Sequence, residues 1–245
     1  EATNDHPILI DQFIENAFEF DVDALCDGKE VFIAGIMQHI EEAGVHSGDS
    51  SCVIPPYDMS DKIKKDIIDM TTKLALELNV IGLINLQFAV KGNEVYVLEV
   101  NPRSSRTVPF VSKYSNVPLA NIAAQLSVGK KLNDFNLEEN NFNHIAVKKA
   151  VLPFKKFKNE KIFLGPEMKS TGEVMGIDSE PGVAFLKAMQ SDGYTVPNEG
   201  TAFVSISDID KKRALPIIRD LTKLNFTIIA TKGTADFFTE NGIEC

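Results

Sequence analysis

Four residues near the middle of the chain have the types and spacing to bind a phosphate group. Glu99 and Asn101 end a run of strong β-formers, and since side chains alternate along a strand they share a face. Arg103 and Arg106 follow at once. Oxygen ligands beside guanidinium groups suit a magnesium-bound nucleotide phosphate, and two arginines can hold one anion from two directions. The alternative is a strand end with ordinary solvent-facing polar residues.

A predicted hairpin adds a third oxygen-bearing side chain to this face. If residues 92–94 form the turn, Lys91 faces Val95 and Gln87 lies opposite Glu99. Gln87, Glu99 and Asn101 then form a patch with a single negative charge. Such a patch suits Mg²⁺ or Mn²⁺ that keeps phosphate oxygens and water among its ligands.

The loop over residues 41–50 is a second candidate site. Its glycines, Gly44 and Gly48, allow backbone N–H groups to approach a ligand closely, and His46 offers a ring for hydrogen bonding or stacking. A solvated loop with a surface histidine is the alternative. Glu19 poses the same choice, since one acid on the polar face of a strand is often simply exposed.

A third candidate lies near the C-terminus, where a predicted strand gives way to a predicted helix. Residues 231–234 read Thr-Lys-Gly-Thr, and the hydroxyls of Thr231 and Thr234 with free N–H groups form a natural phosphate site. Lys211 and Lys212, near the start of the preceding helix, could add positive charge. Ordinary helix capping and solvated lysines are the alternative.

Regular elements must position these residues. Period-two patterns predict strands over 6–11, 18–26, 30–39, 82–90, 94–101 and 146–152, with a turn at 27–29. Helical spacing predicts helices over 60–78, with Ser60 as N-cap, and over 118–128. Residues 131–143 are predicted as an irregular surface segment, and residues 165–176 lie in a loop-rich stretch.

The composition changes near residue 195. Beyond it the pattern predicts a strand over 201–205, a helix over 207–224, a strand over 226–230 and a helix from 234. That order is the start of a parallel, doubly wound α/β domain, and about 50 residues are too few to complete one. The fold class expected for the whole chain is α/β.

Composition limits the function classes. The chain has 245 residues and a net charge of −10 without a basic stripe, which argues against a nucleic-acid partner. Its three cysteines show no metal-binding spacing, which is typical of reduced thiols. We found neither a signal peptide nor a run of 18 apolar residues, so we expect a soluble, cytoplasmic protein without a membrane partner.

Four motifs resemble the large subunit of carbamoyl phosphate synthetase. They are IEEAGVHSGDSS at 40–51, NLQFAV at 85–90, EVNPRSSRTVPFVSK at 99–113 and GPEMKSTGEVMG at 165–176. The resemblance covers essentially the whole chain. It implies the second ATP-grasp half of that subunit: residues 1–17 as the end of the lid lobe and the hinge, 18–194 as an α+β catalytic lobe with a mainly antiparallel sheet, and 195–245 as the start of a methylglyoxal-synthase-like allosteric domain.

The resemblance also implies roles for individual residues. Gln87, Glu99 and Asn101 match the divalent-metal ligands, and Arg103 and Arg106 match arginines that handle phosphate and carbamate. The residues that match the family's ATP contacts are Gln12 and Ile14 at the adenine hinge, Glu19 at the ribose, and Gly44, Val45, His46 and Ser47 in a nucleotide-contacting loop, with Gln87 and Glu99 reaching ATP through the metal. Lys211, Thr231 and Thr234 match positions that bind the phosphate of a nucleotide effector.

The activity implied is the ATP-dependent phosphorylation of carbamate, with Mg²⁺ or Mn²⁺, in a glutamine-hydrolysing carbon–nitrogen ligase that serves arginine and pyrimidine synthesis. The expected partners are a glutaminase subunit or domain and a nucleotide effector, in an oligomeric assembly. In the family a further lobe with ATP-phosphate contacts precedes the hinge, so this stretch alone is expected to be inactive. The alternatives are another ATP-grasp carboxylate ligase and a non-catalytic module that binds a nucleotide or effector.

Overall fold

The chain divides into two compact units, Glu1–Gly193 and Tyr194–Cys245. The computed structural model describes residue 10 and residues 12–57, 59–138, 142–156 and 163–245. The strand predicted over 6–11 lies outside these residues except for Ile10. Within the described part, we find no helix that combines the length and the apolar character needed to cross a lipid bilayer.

The first unit is built on a seven-stranded sheet in which all neighbouring strands are antiparallel, in the order β5-β4-β1-β2-β3-β6-β7. The strands are β1 (Phe18–Asp27), β2 (Val31–His39), β3 (Cys52–Ile54), β4 (Ile81–Lys91), β5 (Glu94–Asn101), β6 (Ile145–Val151) and β7 (Gly172–Asp178). The helices are α1 (Asp61–Glu77), α2 (Val108–Ser115), α3 (Leu119–Ser127) and α4 (Pro181–Ser191), with short 3₁₀ turns at Leu132–Asp134 and Pro153–Lys156.

The two faces of β1 belong to different environments. Phe20, Val22 and Ala24 point to the face that α1 covers, where they pack with the buried side chains of that helix and of β4. On the opposite face, α2 and α3 cover only the end that holds Leu25. Towards the other end of that face β1 carries acids in place of apolar residues. This change of side-chain type along one face of one strand sets the place of the candidate site.

The hairpin between β4 and β5 gives the predicted pairing through a different geometry. The turn has two residues, Gly92 and Asn93, since Lys91 pairs with Glu94. Gly92 has φ 60°, the conformation that a type II′ hairpin turn requires at its first central position. The predicted three-residue turn is therefore wrong. A β-bulge later in β5 inserts one extra residue, and it restores the predicted pairing of Gln87 with Glu99.

Several elements differ from the sequence prediction. Strand β7 occupies part of the stretch predicted as loop-rich, and Gly176 is required there because a Cβ would overlap the Ala184 carbonyl oxygen of α4. The pattern did not indicate β3, α2 or α4. Helix α2 has eight residues, and Val108, Pro109 and Phe110 at its start have low helix propensity, so the sequence pattern does not predict it. The helix over 60–78 is confirmed, and the Ser60 hydroxyl accepts from the Ile63 amide at 3.3 Å.

The second unit has the predicted β-α-β-α order. Its elements are β8 (Gly200–Val204), α5 (Lys211–Lys223), β9 (Phe226–Ala230) and α6 (Lys232–Glu240). Strands β8 and β9 are parallel, which confirms the expected start of a doubly wound sheet. Helix α5 begins four residues later than predicted, with Asp210 as N-cap, because residues 207–210 form a turn in which Asp210 accepts from the Ser207 hydroxyl.

Candidate functional site

Two rows of polar side chains cross the three strands at one edge of the large sheet. The first row consists of Asp21, Gln87 and Glu99, and the second of Asp23, Asn85 and Asn101. All six project from the face opposite α1, since residues two apart on a strand share a face. The sequence analysis identified Glu99 and Asn101, one member of each row on β5, and also Gln87 on β4. It missed Asp21 and Asp23 because no local pattern says that β1 pairs with β4, and it did not extend the predicted β4–β5 pairing to Asn85, which lies opposite Asn101.

The first row, together with Asn85 and Asn101 of the second, borders a cavity of about 310 Å³, which we call the polar cavity. Its walls come from β1, β4 and β5, the segment after β5, the loop before β3 and the segment that leads into β7. The lining side chains include Asp21, His46, Ser47, Gln87, Glu99, Asn101, Arg103, Arg106, Met168 and Glu173. The structure therefore brings the predicted metal ligands, both predicted arginines and part of the predicted loop together.

The two arginines are held by different partners. Arg103 donates to the Asn101 side-chain oxygen at 3.2 Å and to the Ser104 carbonyl at 3.0 Å. Arg106 donates to the Ser170 hydroxyl at 3.0 Å and contacts the Met168 sulfur at 2.8 Å. Both guanidinium groups border the cavity from residues that are largely exposed, so an anion in the cavity can meet two positive charges from two sides.

A buried ion pair lies behind Arg106. Lys148 has no exposed side-chain surface, its ammonium donates to the Ser47 carbonyl at 3.2 Å, and it lies 3.8 Å from Glu173 Oε1. Burial raises the pKa of Glu173, although Lys148 and Arg106 oppose that rise. Glu173 Oε1 is buried and accepts no hydrogen bond from the described residues. Sequence analysis gave no sign of this pair, because a lysine in a strand is usually exposed.

Asp23 is fully buried beneath the segment that carries the arginines. Burial raises the pKa of its carboxyl group to about 6, against the hydrogen bonds from Thr107, Ser105 and Asn85 that favour the charged form. The distances are 2.5 Å from Thr107 Oγ1, 2.7 Å from Ser105 Oγ and 3.0 Å from Asn85 Nδ2. Three donors on one buried carboxylate make this a fixed point of the site.

The predicted ribose acid belongs to a buried network that reaches the cavity. Glu19 accepts from the Gly44 amide at 3.0 Å and lies 3.1 Å from His39 Nδ1, while His39 Nε2 lies 2.9 Å from Asp21. Burial alone would lower the pKa of His39, but Cys52 and the hydrogen bonds with Asp21 and Glu19 hold that pKa well above its ordinary value. A carboxylate at each ring nitrogen favours the imidazolium form, in which both nitrogens donate.

The nucleotide loop is anchored at several points. The Gly48 amide donates to His46 Nδ1 at 3.0 Å, and the His46 amide donates to the Gly165 carbonyl at 2.8 Å. Gln87 Nε2 donates to the Ser47 hydroxyl at 3.0 Å, which leaves the Gln87 carbonyl oxygen available to a ligand. Val45 is half-buried. Hydrogen bonds therefore hold residues 46–48 at one wall of the cavity, and the contact of this loop with a nucleotide stays a prediction.

The hinge residues lie apart from this cavity. Gln12 is exposed and Ile14 is half-buried, and neither is among the described residues that line the cavity. Between them the ring of Phe13 packs against Gly44. The stretch over 12–14 thus lies beside the loop that meets Glu19. Its role in adenine binding stays a prediction.

In the second unit the predicted phosphate residues meet at the start of α6, and we call this group, with Ser205, the helix-terminal site. The Thr231 hydroxyl lies 3.1 Å from that of Thr234 and 3.4 Å from that of Ser205. Lys211 donates to the Gly233 carbonyl at 2.8 Å and pairs with Asp208. Hydroxyl groups, one ammonium group and the first turn of a helix are groups that favour an anion, and the role of these residues in phosphate binding stays a prediction.

The comparisons with known proteins agree with the motifs. Residues 1–135 match the family described as "Carbamoyl-phosphate synthase L chain, ATP binding domain", and residues 213–245 match the family described as "MGS-like domain". The chain is 56% identical over 246 residues to a carbamoyl phosphate synthase large chain of Archaeoglobus fulgidus, and 53% identical over 239 residues to one of Methanoregula boonei. These alignments cover 100% and 98% of this chain but only 23% of each relative.

Among solved structures, the chain is similar to the biotin carboxylase domain of a single-chain bacterial carboxylase. The TM-score is 0.51 at 19% identity, over 57% of this chain and 33% of the other. This likeness concerns the fold alone, and it confirms the expected α/β class with an ATP-grasp lobe built on a mainly antiparallel sheet. The first family match spans more than half of the chain. The chain therefore belongs to the carbamoyl phosphate synthase large-chain family.

Proposed function

We propose that the first unit contributes the catalytic face on which ATP phosphorylates carbamate to carbamoyl phosphate, within a large chain that contains this sequence. The chain spans about a quarter of the length of its curated relatives, so the activity belongs to the larger protein. The observation that carries the proposal is the polar cavity, where Gln87, Glu99 and Asn101 face Arg103 and Arg106.

The residues fit a divalent cation. Glu99 supplies one carboxylate, and the carbonyl oxygens of Gln87 and Asn101 are neutral donors, a set that suits Mg²⁺ or Mn²⁺ with phosphate oxygens completing the shell. The Gln87 side-chain nitrogen already donates to the Ser47 hydroxyl, so the Gln87 side-chain oxygen points away from Ser47. Asp21 Oδ1 is buried, borders the cavity and accepts no hydrogen bond from the described residues. When bound, the cation neutralises charge on the β- and γ-phosphates.

The chain's own residues then act by position and charge. A carbamate oxygen attacks the γ-phosphorus of ATP, forming one O–P bond while the bond to the β-phosphate oxygen breaks and ADP leaves. Arg103 and Arg106 stabilise the charge on the transferring group. Glu19, fixed by Gly44 and His39, is placed to bind the ribose hydroxyls, and residues 44–47 with Gln12 and Ile14 complete the ATP site. No covalent nucleophile is required.

The second unit is proposed as the start of the effector domain. The helix-terminal site would bind the phosphate group of a nucleotide effector through Lys211, Thr231 and Thr234, since hydroxyls and a helix N-terminus favour an anion. We retain residues 1–17, 18–194 and 195–245 as the lid end with hinge, the catalytic lobe and the start of the allosteric domain. We further propose that the large chain acts with a glutaminase subunit or domain in an oligomeric assembly. We also propose a cytoplasmic location and a role in arginine and pyrimidine synthesis.

The decisive experiment replaces one proposed metal ligand in a full-length large chain that contains this sequence. Glu99→Gln removes the only charge among the three ligands and is expected to lower carbamate-dependent ADP and carbamoyl phosphate formation by at least about 100-fold. The family resemblance implies that the other ATP-grasp half activates bicarbonate, so bicarbonate-dependent ATP hydrolysis should persist. The matched control is Glu94→Gln on the same strand, whose carboxylate bonds Tyr96 outside the cavity. Wild-type output from Glu99→Gln would contradict the assignment.

A further inference from the structure

The segment that carries Arg106 is fastened to the sheet on both sides of that arginine. Ser105 and Thr107 precede and follow it, and both hydroxyls reach the carboxylate of Asp23, at 2.7 Å and 2.5 Å. Asp23 projects from the central part of the sheet and is completely buried. A third donor, Asn85 Nδ2, holds the same carboxylate from the neighbouring strand at 3.0 Å. The carboxylate is thus itself fixed before it holds the loop.

The Thr107 side chain contacts Asp23 and does not cap the helix that follows it. It is the N-cap residue of α2, where a threonine hydroxyl ordinarily accepts from an amide of the first helical turn. Here the side chain makes no capping hydrogen bond. Its hydroxyl donates to Asp23 and lies 2.8 Å from the Ser105 hydroxyl. The start of α2 and the arginine before it are therefore tied to β1 by a side chain that could have stabilised the helix.

Arg106 extends from this fixed segment towards the cavity. Its Nη1 donates to Ser170 Oγ at 3.0 Å, and its Nε lies 3.9 Å from Glu173 Oε1. These contacts come from the far side of the cavity and are partly exposed. They can hold the guanidinium group only if its backbone is already in place. The buried carboxylate supplies that constraint from beneath, where water cannot compete with it.

We propose that Asp23 is a positioning residue: by holding Ser105 and Thr107 it fixes the direction in which Arg106 enters the polar cavity. The catalytic part of this inference rests on the proposed role of Arg106 in phosphoryl transfer, whereas the structural part does not. Burial of a carboxylate has a large desolvation cost, which a purely structural contact between β1 and α2 would avoid with apolar side chains. Displacement of a reacting group by about 1 Å can cost about 100-fold in rate.

The first test is structural and independent of activity. Crystal structures of this chain with Asp23→Ala and with Thr107→Val are compared with wild type and with Ser104→Ala. Ser104 is adjacent, and its hydroxyl, which Ser104→Ala removes, donates to the Ser105 carbonyl and makes no contact with Asp23 among the described residues, so it is the matched control. We expect the 3.0 Å contact between Arg106 and Ser170 to be lost in the first two variants and kept in the control and in Thr107→Ser, which retains the hydroxyl. An unchanged contact in Thr107→Val would overturn the proposal, even if Asp23→Ala fails to fold.

The second test is a double-mutant cycle in the full-length large chain. Thr107→Val and Asp23→Ala should each lower kcat for carbamoyl phosphate formation, by up to about 100-fold for Asp23→Ala, with KM for ATP nearly unchanged. In an Arg106→Ala background the same substitutions should have little further effect, because they act through that arginine. Equal losses in both backgrounds would show a general structural role and would overturn the proposal.

The two tests separate this inference from the proposed function. If the wild-type large chain formed no carbamoyl phosphate, the proposed function would fail, and the crystal structures would still decide whether Asp23 positions Arg106. If the large chain is active and Arg106 keeps its place in both variants, the positioning role fails and the function stands.

Discussion

The polar cavity and the helix-terminal site, which we propose as two phosphate-binding sites, are built in different ways. The cavity draws its side chains from residues 21–173 on five separate segments, and its supports include the buried Asp23 and Lys148. The helix-terminal site draws its residues from 205–234, around two consecutive β-α connections. Of its four residues only Thr234 is buried, and that residue is uncharged.

This difference has an energetic consequence. The stability of a fold depends strongly on whether its buried groups are ionised and whether their partners are present. Exposed charges are screened by water and contribute little to stability. The polar cavity should therefore be coupled to folding and to pH, whereas side chains of the helix-terminal site should be replaceable without a change in the stability of the fold. Three measurements test this contrast.

The largest effect is expected at the buried ion pair. Lys148→Met leaves Glu173 with the partly exposed Arg106, 3.9 Å away, as its remaining counter-charge, and should lower the free energy of unfolding by up to about 3–5 kcal/mol. In the second unit, Lys232→Met breaks the exposed ion pair with Asp236 and should leave stability unchanged. Urea denaturation of the chain followed by circular dichroism measures both.

A second substitution serves as the control for that prediction. Glu173→Gln added to Lys148→Met removes the carboxylate that lost its buried partner and should recover part of the lost stability. If Lys148→Met unfolds at the same urea concentration as wild type, the cavity does not depend on buried charge and the contrast between the two sites disappears.

A pH-dependent effect is expected at Asp23. Its pKa is raised from 3.8 to about 6, so between these values the folded chain binds a proton that the unfolded chain has released, and stability falls as pH rises. At 1.36 kcal/mol per unit this amounts to about 3 kcal/mol. Asp23→Asn cannot ionise, so its stability relative to wild type should increase by about that amount from about pH 4 to about pH 7.

Paired urea titrations of wild type and Asp23→Asn at several pH values in this range provide the measurement. Taking the difference removes contributions from other groups, including His39, that titrate equally in both proteins. A difference that is constant with pH would show that Asp23 does not ionise in the folded chain.

The smallest effect is expected in the second unit. Lys211→Met removes one charge-assisted hydrogen bond to an effector phosphate, worth about 1.5 kcal/mol, so nucleoside monophosphates should bind about tenfold more weakly. Lys212→Met, at the exposed neighbouring position, is the matched control and should change little. Calorimetry at one fixed salt concentration compares the two. Equal affinities for wild type and Lys211→Met would remove Lys211 from the site.

The sequence indicated much of the site, and its failures have physical causes. Alternation in β5 and a hairpin predicted that Gln87 faces Glu99, and the pairing is confirmed although the turn is shorter than expected. A bulge compensated for the error, and a bulge leaves no pattern that a period-two reading detects. The helix-terminal residues were found because they lie at a strand-to-helix junction, which is a local feature.

Sequence alone determined the residue types that can hold a metal-bound phosphate, the start of the doubly wound second unit, and the motifs that carry the family resemblance. These depend on short-range spacing, which the order of the chain fixes directly. Only the tertiary structure decided that β1 lies between β4 and β2, and thereby that Asp21 and Asp23 join the site. It also decided that Lys148 is buried beside Glu173. Strand order, burial and ionisation depend on contacts between residues far apart in the chain, and those contacts exist only once the fold has formed.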